Sequence, residues 1–122
     1  MKQIERITTN EEPVAIQRLG DGTYYYNYDI RYDGEVEKEG EKVPQWSFIQ
    51  VMIYGYPCYE DCVKTVIRAY LDSSQEFELV NSYNKAIHEG QPETHKDIVA
   101  YFEFLALLDE IKTKTREVFP QE

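Results

Sequence analysis

The run over residues 45–57, Gln-Trp-Ser-Phe-Ile-Gln-Val-Met-Ile-Tyr-Gly-Tyr-Pro, is the most apolar stretch of the chain and carries no charged residue. Its aromatic and β-branched content, its shortness and its Gly-x-Pro stop predict a strand rather than a core helix. Alternation puts Trp46, Phe48, Gln50, Met52, Tyr54 and Tyr56 on one side and Ser47, Ile49, Val51 and Ile53 on the other, so both faces need apolar cover. Upstream, residues 23–33 alternate as well. Tyr24, Tyr26, Tyr28, Ile30 and Tyr32 fall on one face, and Tyr25, Asn27, Asp29, Arg31 and Asp33 on the other, which predicts a strand with one packed side and one wet side. A shorter alternation over residues 14–19 runs into Gly20-Asp21-Gly22, whose glycines permit the positive φ angles of a tight hairpin. Residues 34–44 are charged, glycine-punctuated and longer than the common hairpin loops, so they read as a mobile connection.

After Pro57 the period changes from 2 to 3.6. Tyr59, Cys62, Val63, Val66, Ile67 and Tyr70 share one helical face, with Glu60 and Asp61 early, as the helix dipole favours, which predicts a first helix over residues 58–71. Ser73 and Glu76 read as a capping box opening a second helix, whose stripe is Phe77, Val80, Asn84 and Ile87 and whose stop is Gly90 and Pro92. Thr94 and Asp97 read as the start of a third and longest helix, ending near Phe119 before Pro120. Its apolar positions exceed one stripe: Ile98, Tyr101, Phe102, Leu105 and Leu108 make one face, and Phe104, Leu107, Leu108 and Ile111 an overlapping one.

These elements predict an α+β domain spanning residues 1–122: a three-stranded antiparallel meander followed by, and packed on, three helices. Residues 1–12 form a loosely docked arm with room for a short strand, 13–56 the sheet and 57–119 the helices. In that strand order the apolar Trp46 strand is an edge, and an uncharged apolar edge is a pairing liability. The arm, the helices or a second copy could hide it. The surplus face of the long helix favours the second copy, so the sequence predicts a homodimer through Trp46, Phe48, Tyr54 and Tyr56 of the strand or through Phe104 of the helix.

Composition narrows the function by exclusion. The chain has 122 residues, enough for a core without staples, and 42% hydrophobic content is that of a folding domain. Thirteen basic against twenty-three acidic side chains give a formal charge of −10, which disfavours nucleic acid and anionic membranes. The opening residues lack a signal-peptide core and no window is apolar enough to span a bilayer, which predicts a cytoplasmic protein. Cys58 and Cys62, four apart where a helix is expected, stand about 5 to 6 Å apart at Cβ, beyond disulfide reach. With His88 and His95 they match none of the usual zinc spacings. No nucleophile elbow, P-loop or dinucleotide fingerprint is present, and adjacent acids such as Asp109 and Glu110 point apart on a helix. The sequence therefore assigns no catalytic, cofactor-binding or metal-ligating residue. Eleven tyrosines, crowded around the hairpin, suit either sheet packing or a recognition surface.

The layout also resembles a family. A glycine-turn hairpin with Tyr-Asn-Tyr-Asp-Ile (residues 26–30), an aromatic strand ending in Gly55-Tyr56-Pro57, Tyr59-Glu60 opening a helix that runs to Ala69-Tyr70-Leu71, and the run from Ser73 to Asn84 resemble small proteins encoded by prophages of gut Bacteroidetes, over about residues 13–118. The resemblance implies a virion or tail-assembly component and carries over no functional residue. Together these readings predict a non-catalytic protein–protein interaction module with an unknown protein partner and no cofactor. Two rivals remain: an acidic inhibitor of a basic nucleic-acid-binding protein, and an enzyme whose site is assembled from scattered residues.

Overall fold

A computed structural model describes residues 3–122, so the first two residues of the expected arm lie outside the described residues. The chain runs β1 (Ile7–Thr9), β2 (Ile16–Arg18), β3 (Thr23–Lys38), β4 (Glu41–Tyr54), α1 (Tyr59–Tyr70), α2 (Ser73–His88) and α3 (Lys96–Val118). The α+β class stands, but the sheet has four antiparallel strands in the order β1-β4-β3-β2 rather than three. The arm supplies the extra strand: Ile7, Thr8 and Thr9 pair with Phe48, Ser47 and Trp46. Strand β4 is thus flanked on both sides from Trp46 to Phe48, while among the described residues its stretch from Ile49 to Tyr54 pairs with β3 alone and keeps the edge character that a three-strand order implies. The outermost strands are β1 and β2, three residues each.

The charged stretch read as a loop is ladder instead. Pairing continues from Gly34 with Gln45 to Lys38 with Glu41, leaving a two-residue turn at Glu39 and Gly40, both at positive φ. That conformation matches the twist of a hairpin, and opposite charges face each other at Glu37 with Lys42 and Lys38 with Glu41. Composition alone hides such a ribbon, because its stabilising partners are eleven residues or fewer away but on the opposite strand.

Strand β3 is two residues longer than β4 because it bulges twice, between Tyr28 and Arg31 and between Tyr32 and Gly34. The first bulge centres on Asp29, whose φ of 55° lies in the left-handed region that Asp tolerates better than most residues. Before it, Tyr24, Tyr26 and Tyr28 stand opposite Ile53, Val51 and Ile49 on the face covered by α1 and α3. After it the register has slipped by one, so Tyr32 stands opposite Trp46 on the other face, against the simple alternation expected from the sequence.

The core lies between that face and two helices. Tyr26, Tyr28, Ile49, Val51 and Ile53 pack with Cys62, Val63 and Val66 of α1 and Ile111 of α3. The Tyr26 hydroxyl bonds the buried Thr115 hydroxyl at 2.8 Å, so its polar tip is satisfied inside the core. On the opposite face, residues 10–15 must cross the sheet to connect its two edges. Asn27 Nδ2 donates to the Val14 carbonyl at 2.8 Å, and a cleft shared by Glu11, Val14, Asn27 and Phe48 marks the path. This crossing buries Phe48 to 5% exposure.

Helix α2 opens one residue earlier than its expected cap. Asp72, not Ser73, accepts from Gln75 N at 2.7 Å, while Gln75 Oε1 accepts from Asp72 N at 2.8 Å. In α3 the cap is His95, whose Nδ1 accepts from Asp97 N, in place of Thr94. Helix α2 contributes nothing to the main core and rests on α3. Phe104, expected on a partner-facing side of α3, is 2% exposed, because the inward face of α3 runs through Ile98, Phe104, Ile111 and Thr115. Replacing Phe104 with Ala is therefore expected to cost about 3 to 5 kcal/mol of folding stability. A urea titration checks this, since a surface position would shift by less than about 0.5 kcal/mol.

Candidate interaction surface

Of the five residues singled out as a surface, the structure buries Phe48 under the crossing segment and Phe104 within the helical layer, which removes both. Tyr54 and Tyr56 are 79% and 86% exposed, and the Tyr56 ring meets Tyr24 edge-on at 6.2 Å. Trp46 is half-buried and lies against the exposed Tyr32 at 5.2 Å. Trp46 and Tyr54 are eight residues apart along β4, about 27 Å at the rise of a strand, so the two aromatic pairs are separate spots rather than one patch.

A further apolar surface sits on the helices. Tyr83 of α2 stacks on Tyr101 of α3 at 4.0 Å and meets Phe102 edge-on at 6.0 Å, and this seam carries the exposed Val99, Phe102 and Ile87 at its borders. Of the stripe Phe77, Val80, Asn84 and Ile87, legible in the sequence as a packing face, Phe77, Asn84 and Ile87 are exposed and Val80 is half-buried. The residue of α2 that is buried is Ala86, on another side of the helix. Periodicity identifies a stripe but not the direction in which it is docked, which is why the sequence does not mark this face as surface.

The ionisable groups gather elsewhere, around Asp29. Its Oδ2 pairs with Arg6 at 3.0 Å and Arg31 at 2.7 Å, its Oδ1 accepts from Lys114 at 2.8 Å, and its carbonyl accepts from Arg6 at 2.6 Å. Arg6 also donates to the hydroxyl and the carbonyl of Ser47, and Lys114 to Glu110. Burial pushes the Asp29 carboxyl up, but the hydrogen bonds from Lys114 and Arg31 and their charges outweigh it and hold the pKa below 3.8. For Lys114, burial acts downward and is outweighed by Asp29 and Glu110, so the ammonium is held above its ordinary 10.5. Burial raises Tyr28, whose hydroxyl finds no hydrogen-bond partner among the described residues although Lys114 stands 5.8 Å from its ring, and pushes Tyr26 and the Cys62 thiol up to about 12. Each of these groups is driven away from neutrality. The cluster sets three cations against the Asp29 and Glu110 carboxylates and so holds the arm, β3 and α3 together.

Cys58 and Cys62 are both free thiols. Among the described residues no three His, Cys, Asp or Glu side chains gather as a metal site, and no helix is long and apolar enough to cross a membrane. The chain matches no protein-family model, no curated protein and no solved structure.

The Asp29 cluster yields a pH prediction. Because the folded-state pKa lies below the unfolded value, the carboxylate contributes stability that is fully present above about pH 4 and is lost as pH falls through the folded pKa. Asp29→Asn keeps a residue that tolerates positive φ but leaves the cations without their anion. It is expected to cost about 2 to 4 kcal/mol, short of a fully buried pair because Arg31 and Lys114 keep contact with water. Urea midpoints measured from pH 7 down to about pH 2 should fall for the wild type and run flatter for the variant.

Proposed function

We propose that the protein is a non-catalytic protein–protein interaction module that works in the cytoplasm as a homodimer, in the assembly or structure of a phage-type particle. The observation that carries the interaction reading is the exposure of large apolar side chains on the two outer helices, Phe77 at 68% and Ile87 at 51% on α2 and Phe102 on α3. A neighbouring set of large apolar side chains on otherwise regular helices is the usual mark of a surface that a partner covers. The chemistry points the same way, because the one dense group of ionisable side chains is spent on mutual pairing. The phage assignment rests on the resemblance of residues 13–118 to prophage-encoded proteins.

The test is induction of a host strain carrying the gene within a prophage, followed by mass spectrometry of purified particles and of sedimenting assembly intermediates. The chain is expected in one of those fractions, and the double variant Phe77→Glu, Phe102→Glu is expected to fold yet be depleted from it at least about tenfold, since charge on a covered apolar face is strongly disfavoured. Wild-type protein absent from both fractions would count against the assembly role.

A further inference from the structure

The geometry points to the open edge of β4 as the dimer contact, where β4 of a second copy pairs antiparallel across a two-fold axis at Met52. This rests on the homodimer reading above and names its strand and register. Along a strand, successive residues turn their backbone groups to opposite edges. In β4 and just beyond it, the Gly55 N–H bonds the Gly22 carbonyl on the β3 side, and the Pro44 carbonyl accepts from the Asn10 side chain on the β1 side. Trp46, Phe48, Gln50, Met52 and Tyr54, an even number of positions from Pro44, therefore aim their N–H and C=O groups away from β3. Trp46 and Phe48 meet Thr9 and Ile7. There β1 stops, and residues 3–6 add no backbone bond to β4 among the described residues, with Arg6 spent on Asp29 and Ser47 and Ile4 packed against the core. Gln50, Met52 and Tyr54 are left as an unpaired edge.

The chemistry of that edge sets what can cover it. Alternate open N–H and C=O groups take an extended backbone, and no residue from 45 to 57 is charged, so a second copy of a chain of charge −10 meets no like charge along it. Antiparallel pairing centred on Met52 sets it against Met52 of the partner subunit and sets Gln50 against Tyr54 of the partner subunit. Each of the three open residues then exchanges both bonds of a hydrogen-bonded pair. The ladder limits itself. The next position, Phe48, is taken by Ile7, and Gly55 at a φ of 84° turns the chain aside before it would reach β1 of the copy. A register moved by two residues in either direction leaves one open residue of each copy without a partner, so the Met52 axis is the one that uses all three. The side chains agree with it. Gln50 and Met52 are half-buried and Tyr54 is exposed, and the pairing brings the Tyr54 ring beside Gln50 of the partner subunit with Met52 of the partner subunit on the diagonal.

Sedimentation velocity from about 5 to about 300 μM, with amide hydrogen exchange at the same concentrations, reads the outcome, the range suiting an interface smaller than a standard one. The wild type is expected to shift from monomer to dimer across it, with exchange at the Gln50, Met52 and Tyr54 amides slowing at least about tenfold as the dimer forms. Met52→Pro removes the N–H at the axis. It is expected to stay monomeric and folded, because Pro44 already occupies an equivalent outward position of this strand. Met52→Lys and Met52→Glu each set like charges against one another at the axis. Each alone is expected to weaken association by about tenfold, and an equimolar mixture of the two to restore most of it, which keeps the register testable should the proline variant unfold. Charge variants that stay apart on mixing overturn the Met52 axis. Protection of the three amides that is independent of concentration places the arm on the edge and overturns the second copy there. A wild-type dimer indifferent to all three variants overturns the β4 edge while leaving the homodimer standing, and a wild type monomeric at about 300 μM overturns both, with the particle assay still deciding the assembly role separately.

Discussion

Asp29 is the point at which three otherwise separate pieces of the chain are tied. Its backbone takes the left-handed conformation that makes the β3 bulge, and its carboxylate faces Arg6 from the arm, Arg31 from the strand beyond the bulge and Lys114 from α3. A carboxylate with only 9% of its side chain exposed is costly to leave unpaired, so the three cations are required by the burial as much as they are permitted by it. The consequences run outward. Arg6 reaches past Asp29 to Ser47 and fixes where β1 meets β4, and Lys114 fixes α3 over Tyr28. The bulge changes the register so that Tyr26 and Tyr28 fill the core while Tyr32 stacks with Trp46 outside it.

Much of this was legible in the residues and some was not, for identifiable reasons. The Trp46 strand, the tyrosine strand and the face of α1 around Cys62, Val63 and Val66 follow from period and composition, and they are where the structure puts them. The ribbon at residues 34–45 was hidden because charged residues on an exposed strand resemble a loop until their cross-strand partners are known. The fourth strand was hidden because β1 is three residues long and is placed by a guanidinium contact 23 residues away in sequence rather than by its own pattern. The caps of α2 and α3 each moved by one residue because Asp72 competes with Ser73, and His95 with Thr94, for the same orphan amides.

The residues proposed as a surface divide between exposed and buried. Aromatic richness pointed to β4 and the bend that follows it, where Tyr54 and Tyr56 are exposed, but Phe48 lies under a crossing segment whose existence depends on β1 and β2 being at opposite edges. Phe104 was assigned outward because α3 has two overlapping apolar stripes and only geometry decides which is inside. The bundle turned Ile98, Phe104 and Ile111 inward and left Phe102 and Val99 out. On α2 the docking left Phe77 and Ile87 exposed and Val80 half-buried.

That outcome divides the molecule into a part that is complete and a part that is presented. The sheet, α1 and α3 share one core, and the ion cluster ties the arm and β3 to α3. Helix α2 is held differently, by the Asp72–Gln75 capping box, the Arg68–Glu76 bridge and the Tyr83–Tyr101 stack. Two of these contacts secure the first turn of the helix and the third its C-terminal half, so they set its position and rotation while leaving Phe77 and Ile87 exposed. An apolar face held in one orientation before it meets a partner has less ordering entropy to lose on association than a flexible segment would. The contacts that fail to cover α2 are therefore the ones that make it suited to be covered.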